Sequence, residues 1–384
     1  MNAFHTGKYR NLFAEAGKSQ PEIEERLAGI VGTFFYGSEQ ERIYHPVGED
    51  MGYLEDTGNH DARTEGMSYG MMMCVQLNMQ EEFDRIWKWA KTYMYMEEGE
   101  NEGYFAWSCR TDGIRNAYGP APDGEEYFAM ALFFADHRWG SREGIFDYEK
   151  EARKILAACV HKGSGGRTGA PMWNRDNHQI LFVPGADFTD PSYHLPHFYE
   201  LFALWADEGD REFWKKAADA SRKYLAKACH PETGLNPEYA EFDGTPYVRQ
   251  LDWTKDRHCY FYSDAYRTAA NIGLDFEWFG ADLGQAGAPL RLLRFLRTDL
   301  EACRCVFDVT GTPLEQTVLH PVGLLAACAQ STLAIPEGKG NEVIVRQWIE
   351  WFWNQPLRTG ERRYYDNCLY LFAFLALSGK YRIW

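Results

Sequence analysis

Two hydrophobic patterns alternate along the chain. In the first, apolar residues fall on one stripe at helical spacing and charges fill the back. Such segments lie at about 20–34, 80–95, 147–160, 210–228, 289–302 and 341–354. Glu81-Glu-Phe-Asp-Arg-Ile-Trp-Lys-Trp89 and Leu290-Arg-Leu-Leu-Arg-Phe-Leu-Arg297 are examples. In the second pattern, apolar residues occupy nearly every side. These segments lie at about 64–78, 124–136, 191–206, 264–275, 316–331 and 366–378, with Cys368-Leu-Tyr-Leu-Phe-Ala-Phe-Leu-Ala-Leu377 the most apolar. A helix that is apolar all round is buried. The chain therefore predicts six outer helices and six inner ones in strict alternation.

The links alternate as well. Outer-to-inner links are mostly long, at about 35–63, 97–122, 161–189 and 229–262, and the return links are mostly short. Helices of alternating direction gather their long links at one end. An all-α (α/α)6 barrel satisfies both alternations, as one domain over residues 1–384, because no Gly/Ser- or Pro-rich linker divides the chain. An open superhelix of helical pairs is the competing architecture, but no repeat supports it. The six inner N-termini should open onto one loop-rich face, where a site belongs.

The residues at those six mouths are Glu65, Asp123, Tyr193, Asp264, His320 and the Tyr364-Tyr365-Asp366 run. Each has a structural alternative. Thr64 reads as an N-cap, with Glu65 complementing the helix dipole from the first turn. Asp123 with Glu126 fits a capping box. Asp190-Pro191 reads as N-cap and first-turn proline, so Asp190 is taken as structural. Ser263 can cap by itself, which leaves the Asp264 carboxyl surplus among aromatic residues. His320 and Tyr193 could be ordinary core.

The net charge of −16 disfavours a nucleic-acid, anionic-membrane or polyanionic partner and suits a neutral substrate. No stretch is long enough to span a bilayer, and the N-terminal residues lack an apolar signal core. The nine cysteines are odd in number and scattered through apolar segments, which points to a reducing, cytoplasmic setting. Cys303-Arg-Cys305 is the one close pair, and no His cluster accompanies it. No metal, other cofactor or obligate protein partner is therefore expected.

Two acids on different inner helices of an aromatic-rich face suit glycosidic hydrolysis. One carboxylic acid protonates the leaving oxygen, and a second carboxylate activates water or attacks the sugar. An acid that stays protonated near neutrality needs a partly apolar site, which Gly66, Met67, Tyr69, Met71 and Met72 offer Glu65. Trp107 and Trp173 lie on long loops of the same face and suit sugar stacking, or loop packing. A sugar epimerase or isomerase, which commonly uses paired histidines, would have to draw on His320 with His194 or His197. A non-catalytic oligosaccharide-binding barrel is a further alternative.

Arg63-Thr-Glu-Gly-Met-Ser-Tyr-Gly-Met-Met72 resembles the signature around the general acid of glycoside hydrolase family 8. Ala121-Pro-Asp-Gly-Glu-Glu-Tyr-Phe128, Asp187-Phe-Thr-Asp-Pro-Ser-Tyr-His194 and Tyr262-Ser-Asp-Ala-Tyr-Arg267 are similar to its other inner-helix motifs. Within the family, Leu314-Glu-Gln-Thr-Val-Leu-His-Pro-Val-Gly-Leu-Leu325 is most similar to the exo-oligoxylanases that release xylose from the reducing end. The resemblance implies an inverting mechanism on β-1,4-xylo-oligosaccharides. Glu65 would be the general acid and Asp264 the general base, with Tyr193 helping to hold the water. Asp123 would bind the −1 sugar. Leu319, His320 and Pro321 would block the aglycone side beyond one sugar. Arg63, Tyr69, Arg267, Tyr364 and Tyr365 are further substrate-binding candidates. An endo-acting family 8 xylanase, endoglucanase or chitosanase remains the alternative within the family.

Overall fold

The computed structural model describes residues 2–166, 168–297, 305–336, 338 and 340–384. Among these are fourteen α-helices and seven short strands. Two short helices, α1 (Ala3–Thr6) and α2 (Leu12–Glu15), precede the alternating series. The odd-numbered members are the striped segments: α3 (Gln20–Tyr36), α5 (Gln80–Trp89), α7 (Tyr148–His161), α9 (Arg211–Ala228), α11 (Ala288–Leu296) and α13 (Glu342–Asn354). The even-numbered members are the all-round apolar ones: α4 (Thr64–Leu77), α6 (Pro122–Trp139), α8 (Pro196–Trp205), α10 (Ala265–Phe279), α12 (Pro321–Ser331) and α14 (Arg363–Leu377). Every residue of α14 is buried, and in α4 only Glu65 and Leu77 are not.

The even helices pack in cyclic order. Each lies against the next from α4 to α14, and α14 returns to α4. Odd helices cover them from outside, α7 on α6, α9 on α8 and α13 on α12.

Several ends differ from expectation for local reasons. α3 begins as a full capping box between Ser19 and Glu22. α4 does not start that way: Thr64 is its first helical residue, Arg63 is the N-cap, and no side chain caps it. Asp123 likewise lies inside α6, after Ala121 and Pro122, and accepts from the Gly124 N–H at 3.0 Å. The inner segment predicted at 191–206 is split. Asp190 caps a 3-10 turn, Pro191–Tyr193, through the Ser192 N–H at 2.7 Å, and Pro196, which has no N–H to continue a ladder, starts α8 afresh. The segment predicted from 316 becomes helical only at Pro321, because Pro313–Thr317 is strand β7. Residues 298–302 of the predicted outer helix, and Cys303, lie outside the described residues.

Strands occur in the long links. β1 (Tyr44–Val47) and β2 (Met51–Leu54) form a hairpin, and β3 (Asp61–Arg63) pairs with β4 (Ser108–Arg110). β5 (Tyr260–Phe261), β6 (Cys305–Asp308) and β7 form a three-stranded sheet. β3 leads straight into α4, and β5 lies just before α10. Short ladders thus anchor the chain where two inner helices begin.

Candidate active site

Residues from all six even-helix entrances line one cleft of about 690 Å³, a size suited to a small ligand. Its centre is Arg267, in the first turn of α10 and 4% exposed. One terminal nitrogen of the guanidinium, Nη1, donates to Glu65 Oε2 at 3.0 Å, Asp123 Oδ2 at 3.0 Å and Tyr69 Oη at 2.7 Å. The other, Nη2, lies 3.5 Å from Asp264 Oδ1. A planar guanidinium joins the two nitrogens, so Glu65 Oε2 and Asp264 Oδ1 lie within about 9 Å of each other.

Three carboxyls around one cation leave the centre short of positive charge. The Glu65 carboxyl is pushed up to about 7, first by burial; Arg267 opposes the rise, and Asp123 and Asp264 add to it. Tyr364 Oη donates to Glu65 Oε1 at 2.9 Å and fixes its orientation. Asp123 is also raised, first by burial. The Glu65 side chain is 17% exposed and that of Asp264 31%. The more buried acid is the better proton reservoir, and the more open carboxylate is the better partner for water.

Tyr193 ends the 3-10 turn before α8, and its ring faces Arg267 at 5.6 Å from the guanidinium. Tyr365 sits 6.0 Å from the same group and 4.7 Å, ring to ring, from His320. Asp366 in α14 is buried and holds His320 Nδ1 at 3.0 Å. An aspartate carboxylate only accepts, so Nδ1 is the donor in this bond. Arg63 is fixed between Asp56 at 3.1 Å and Asp61 at 3.0 Å, with its guanidinium 5.3 Å from the Trp107 ring centre. Among the described residues no group of His, Cys, Asp and Glu side chains could hold a metal ion.

A cleft with a half-buried glutamate whose carboxyl pKa is raised, a second, more open carboxylate and aromatic walls is equipped for proton-assisted cleavage of a sugar link. Residues 49–331 match the family described as glycosyl hydrolases family 8. The chain belongs to glycosyl hydrolase family 8. A reducing end xylose-releasing exo-oligoxylanase of Halalkalibacterium halodurans is 55% identical to this family 8 hydrolase over 383 residues, 100% of this chain and 96% of the relative. A structure of an exo-oligoxylanase of that kind from Paenibacillus barcinonensis, complexed with xylose, is 53% identical, with a TM-score of 0.95, covering 100% of this chain and 99% of the other. A reducing-end-xylose releasing exo-oligoxylanase variant complexed with xylobiose is 55% identical, with a TM-score of 0.95 and full coverage of both chains.

In this family 8 hydrolase, the candidates Arg63, Glu65, Trp107, Asp123, Tyr193, Asp264, Arg267, Leu319, His320, Tyr364 and Tyr365 all line the cleft. Three candidates do not. Trp173 is fully buried and packs edge-on against Tyr199 and Trp214, so it is core and not a sugar platform. Tyr69 stands behind Arg267 and reaches the cleft only through that guanidinium. Pro321 opens α12 behind the wall formed by Leu319 and His320.

Sequence reasoning missed Phe182, Tyr239, Trp253 and Arg362, which also line the cleft of this hydrolase. Trp253 is 62% exposed, with its ring parallel to Phe182. Its signal was present, a lone tryptophan in the polar run Gln250-Leu-Asp-Trp-Thr-Lys-Asp256 of a long link. Asp366 stood out only as one of the polar residues at an inner mouth, and Arg358 carried no local signal.

Proposed function

We propose that this chain is an inverting glycoside hydrolase that releases xylose from the reducing end of β-1,4-xylo-oligosaccharides. The observation that carries the reading is the Glu65–Arg267–Asp264 arrangement, with His320 on the wall of the same cleft. Similarity along the whole chain to exo-oligoxylanases of that specificity supports the substrate class.

Glu65 holds its proton because its carboxyl is largely shielded from water, and gives it to the glycosidic oxygen as the bond breaks. Asp264 takes a proton from the attacking water, and Tyr193 beside it helps to hold that water. Room for a water between carboxylate and sugar is what separates inversion from direct attack. Asp123 binds the −1 sugar, kept in place by Arg267. Arg63, Trp107, Tyr364 and Tyr365 shape the walls. Leu319 and His320 stop the aglycone side after one sugar, and His320 Nε2 accepts from the anomeric hydroxyl that only a free reducing end carries. A ligand lacking that hydroxyl leaves a buried acceptor unpaired, which disfavours it strongly.

The cyclic packing of the even helices inside the odd ones supports an (α/α)6 barrel, acting as one catalytic domain over residues 1–384. The buried free thiols of Cys74, Cys109, Cys159, Cys229, Cys259 and Cys368 fit work in the cytoplasm. No helix among the described residues is long and apolar enough to cross a membrane.

Stereochemistry tests the mechanism. Proton NMR of the first product should show the α-anomer from a β-linked substrate. Early β-anomer would reject inversion and the general-base role of Asp264.

A further inference from the structure

Leu319 and His320 lie between strand β7 and helix α12, so no ladder holds their main chain. α12 also lacks a cap of its own. The side chain of its N-cap, His320, makes no capping bond, and its first residue, Pro321, has no N–H. The missing partners come from elsewhere. Asp366 Oδ1 accepts the Gly323 N–H at 2.6 Å, so a side chain of α14 caps α12. Arg358, in the link between α13 and α14, donates through Nη1 to the Leu319 carbonyl at 2.5 Å, and the same nitrogen pairs with Asp366 Oδ2. The base of Arg358 is itself pinned. Its N–H donates to Asn367 Oδ1 at 2.8 Å, and its carbonyl accepts from Asn367 Nδ2 at 3.0 Å.

We propose that Arg358 is a specificity determinant, a positioning residue that keeps the reducing-end wall in place by tying the Leu319 carbonyl to Asp366. The inference rests on the reading of Leu319 and His320 as that wall. Arg358 does not line the cleft, and its side chain bonds neither Glu65 nor Asp264. It therefore acts on substrate choice through the wall. Without it the Leu319 carbonyl loses its donor and Asp366 loses one of three. The main chain at 319–320 is then free to move, and the closed end of the cleft opens to a blocked or longer aglycone.

The test compares xylotriose with methyl β-xylotrioside, whose reducing end is blocked. In Arg358→Met, kcat/KM for the blocked substrate relative to xylotriose should rise at least tenfold over the parent ratio. A general loss of stability lowers both rates together and leaves the ratio unchanged, so a ratio within twofold of the parent overturns the proposal. Should Arg358→Met fail to fold, Arg358→Lys decides. It keeps a charge near Asp366 but its chain ends one atom short of the Nη1 position that serves both partners, and its ratio should rise at least threefold; no rise overturns the proposal. A parent enzyme that cleaves both substrates equally well refutes the wall itself, and with it this inference, before any variant is made.

Discussion

As the proposed general acid, Glu65 must hold a proton before it can give one, and its surroundings decide whether it does. With its carboxyl pushed up to about 7, the acid is protonated over most of the range below neutrality. As pH rises past 7, kcat/KM for xylotriose should fall about tenfold per unit as the donor is lost. Glu65→Gln should lose roughly 10²–10⁴ in kcat on the same substrate. A stability signature accompanies this. The folded-state value lies above the ordinary value of 4.5, so the folded state binds the extra proton between the two. Stability is therefore greatest, as far as this group is concerned, below about 4.5, is lost as pH rises towards 7, and stays reduced above it. Glu65→Gln removes that penalty, so its Tm should exceed the parent's by a few degrees at pH 8 and match it at pH 4. A Tm lower than the parent's at pH 8 would show that the carboxylate is not held at a cost. Individual residues were legible where a carboxyl sat in a buried helical mouth, as at Glu65 and Asp264. The grouping of Glu65, Asp123, Tyr69 and Asp264 around Arg267 was not, because those residues meet only across separate helices.

At the scale of elements, glycine sets how closely the site helices approach. A Cβ on Gly66 would lie 2.5 Å from Tyr364 Oη, which orients Glu65. A Cβ on Gly124 would lie 2.5 Å from Thr64 Cβ, where α6 packs on α4. The second contact involves two inner elements with little freedom to yield, and overpacking of this kind costs about 1–3 kcal/mol. Gly124→Ala should lower the stability measured by urea unfolding by about that amount and reduce kcat, because Asp123 and Glu65 flank the contact. Unchanged stability and rate would mean that α4 and α6 are not in van der Waals register there. The inner helices were readable because nothing but burial explains an all-round apolar run such as Cys368–Leu377. The split before α8 turns on Pro196, whose effect the apolar run around it masked. The short strands escaped notice because two to five residues leave no periodicity to read, and the ladders β3–β4 and β5–β6 join distant links.

Across the whole molecule, buried ion pairs knit outer helices to inner ones. Arg222 of α9, 2% exposed, reaches Asp275 of α10 at 2.7 Å and Glu200 of α8 at 2.6 Å. Such ties, with the cyclic packing of the even helices, present six helix entrances to one cleft. The alternation of two helix types and of long and short links made that arrangement legible. The Leu319-His320-Pro321 motif pointed to a closed end, but no pattern along the chain reveals that Arg358 and Asp366 meet Leu319 and His320 in space. The central claim is that two acids from separate inner helices cut one sugar from the closed end. It is tested most directly by brief digestion of xylotriose labelled at its reducing end, with the products separated. The account predicts that the label appears first in free xylose, with unlabelled xylobiose beside it. Label appearing first in xylobiose would contradict it.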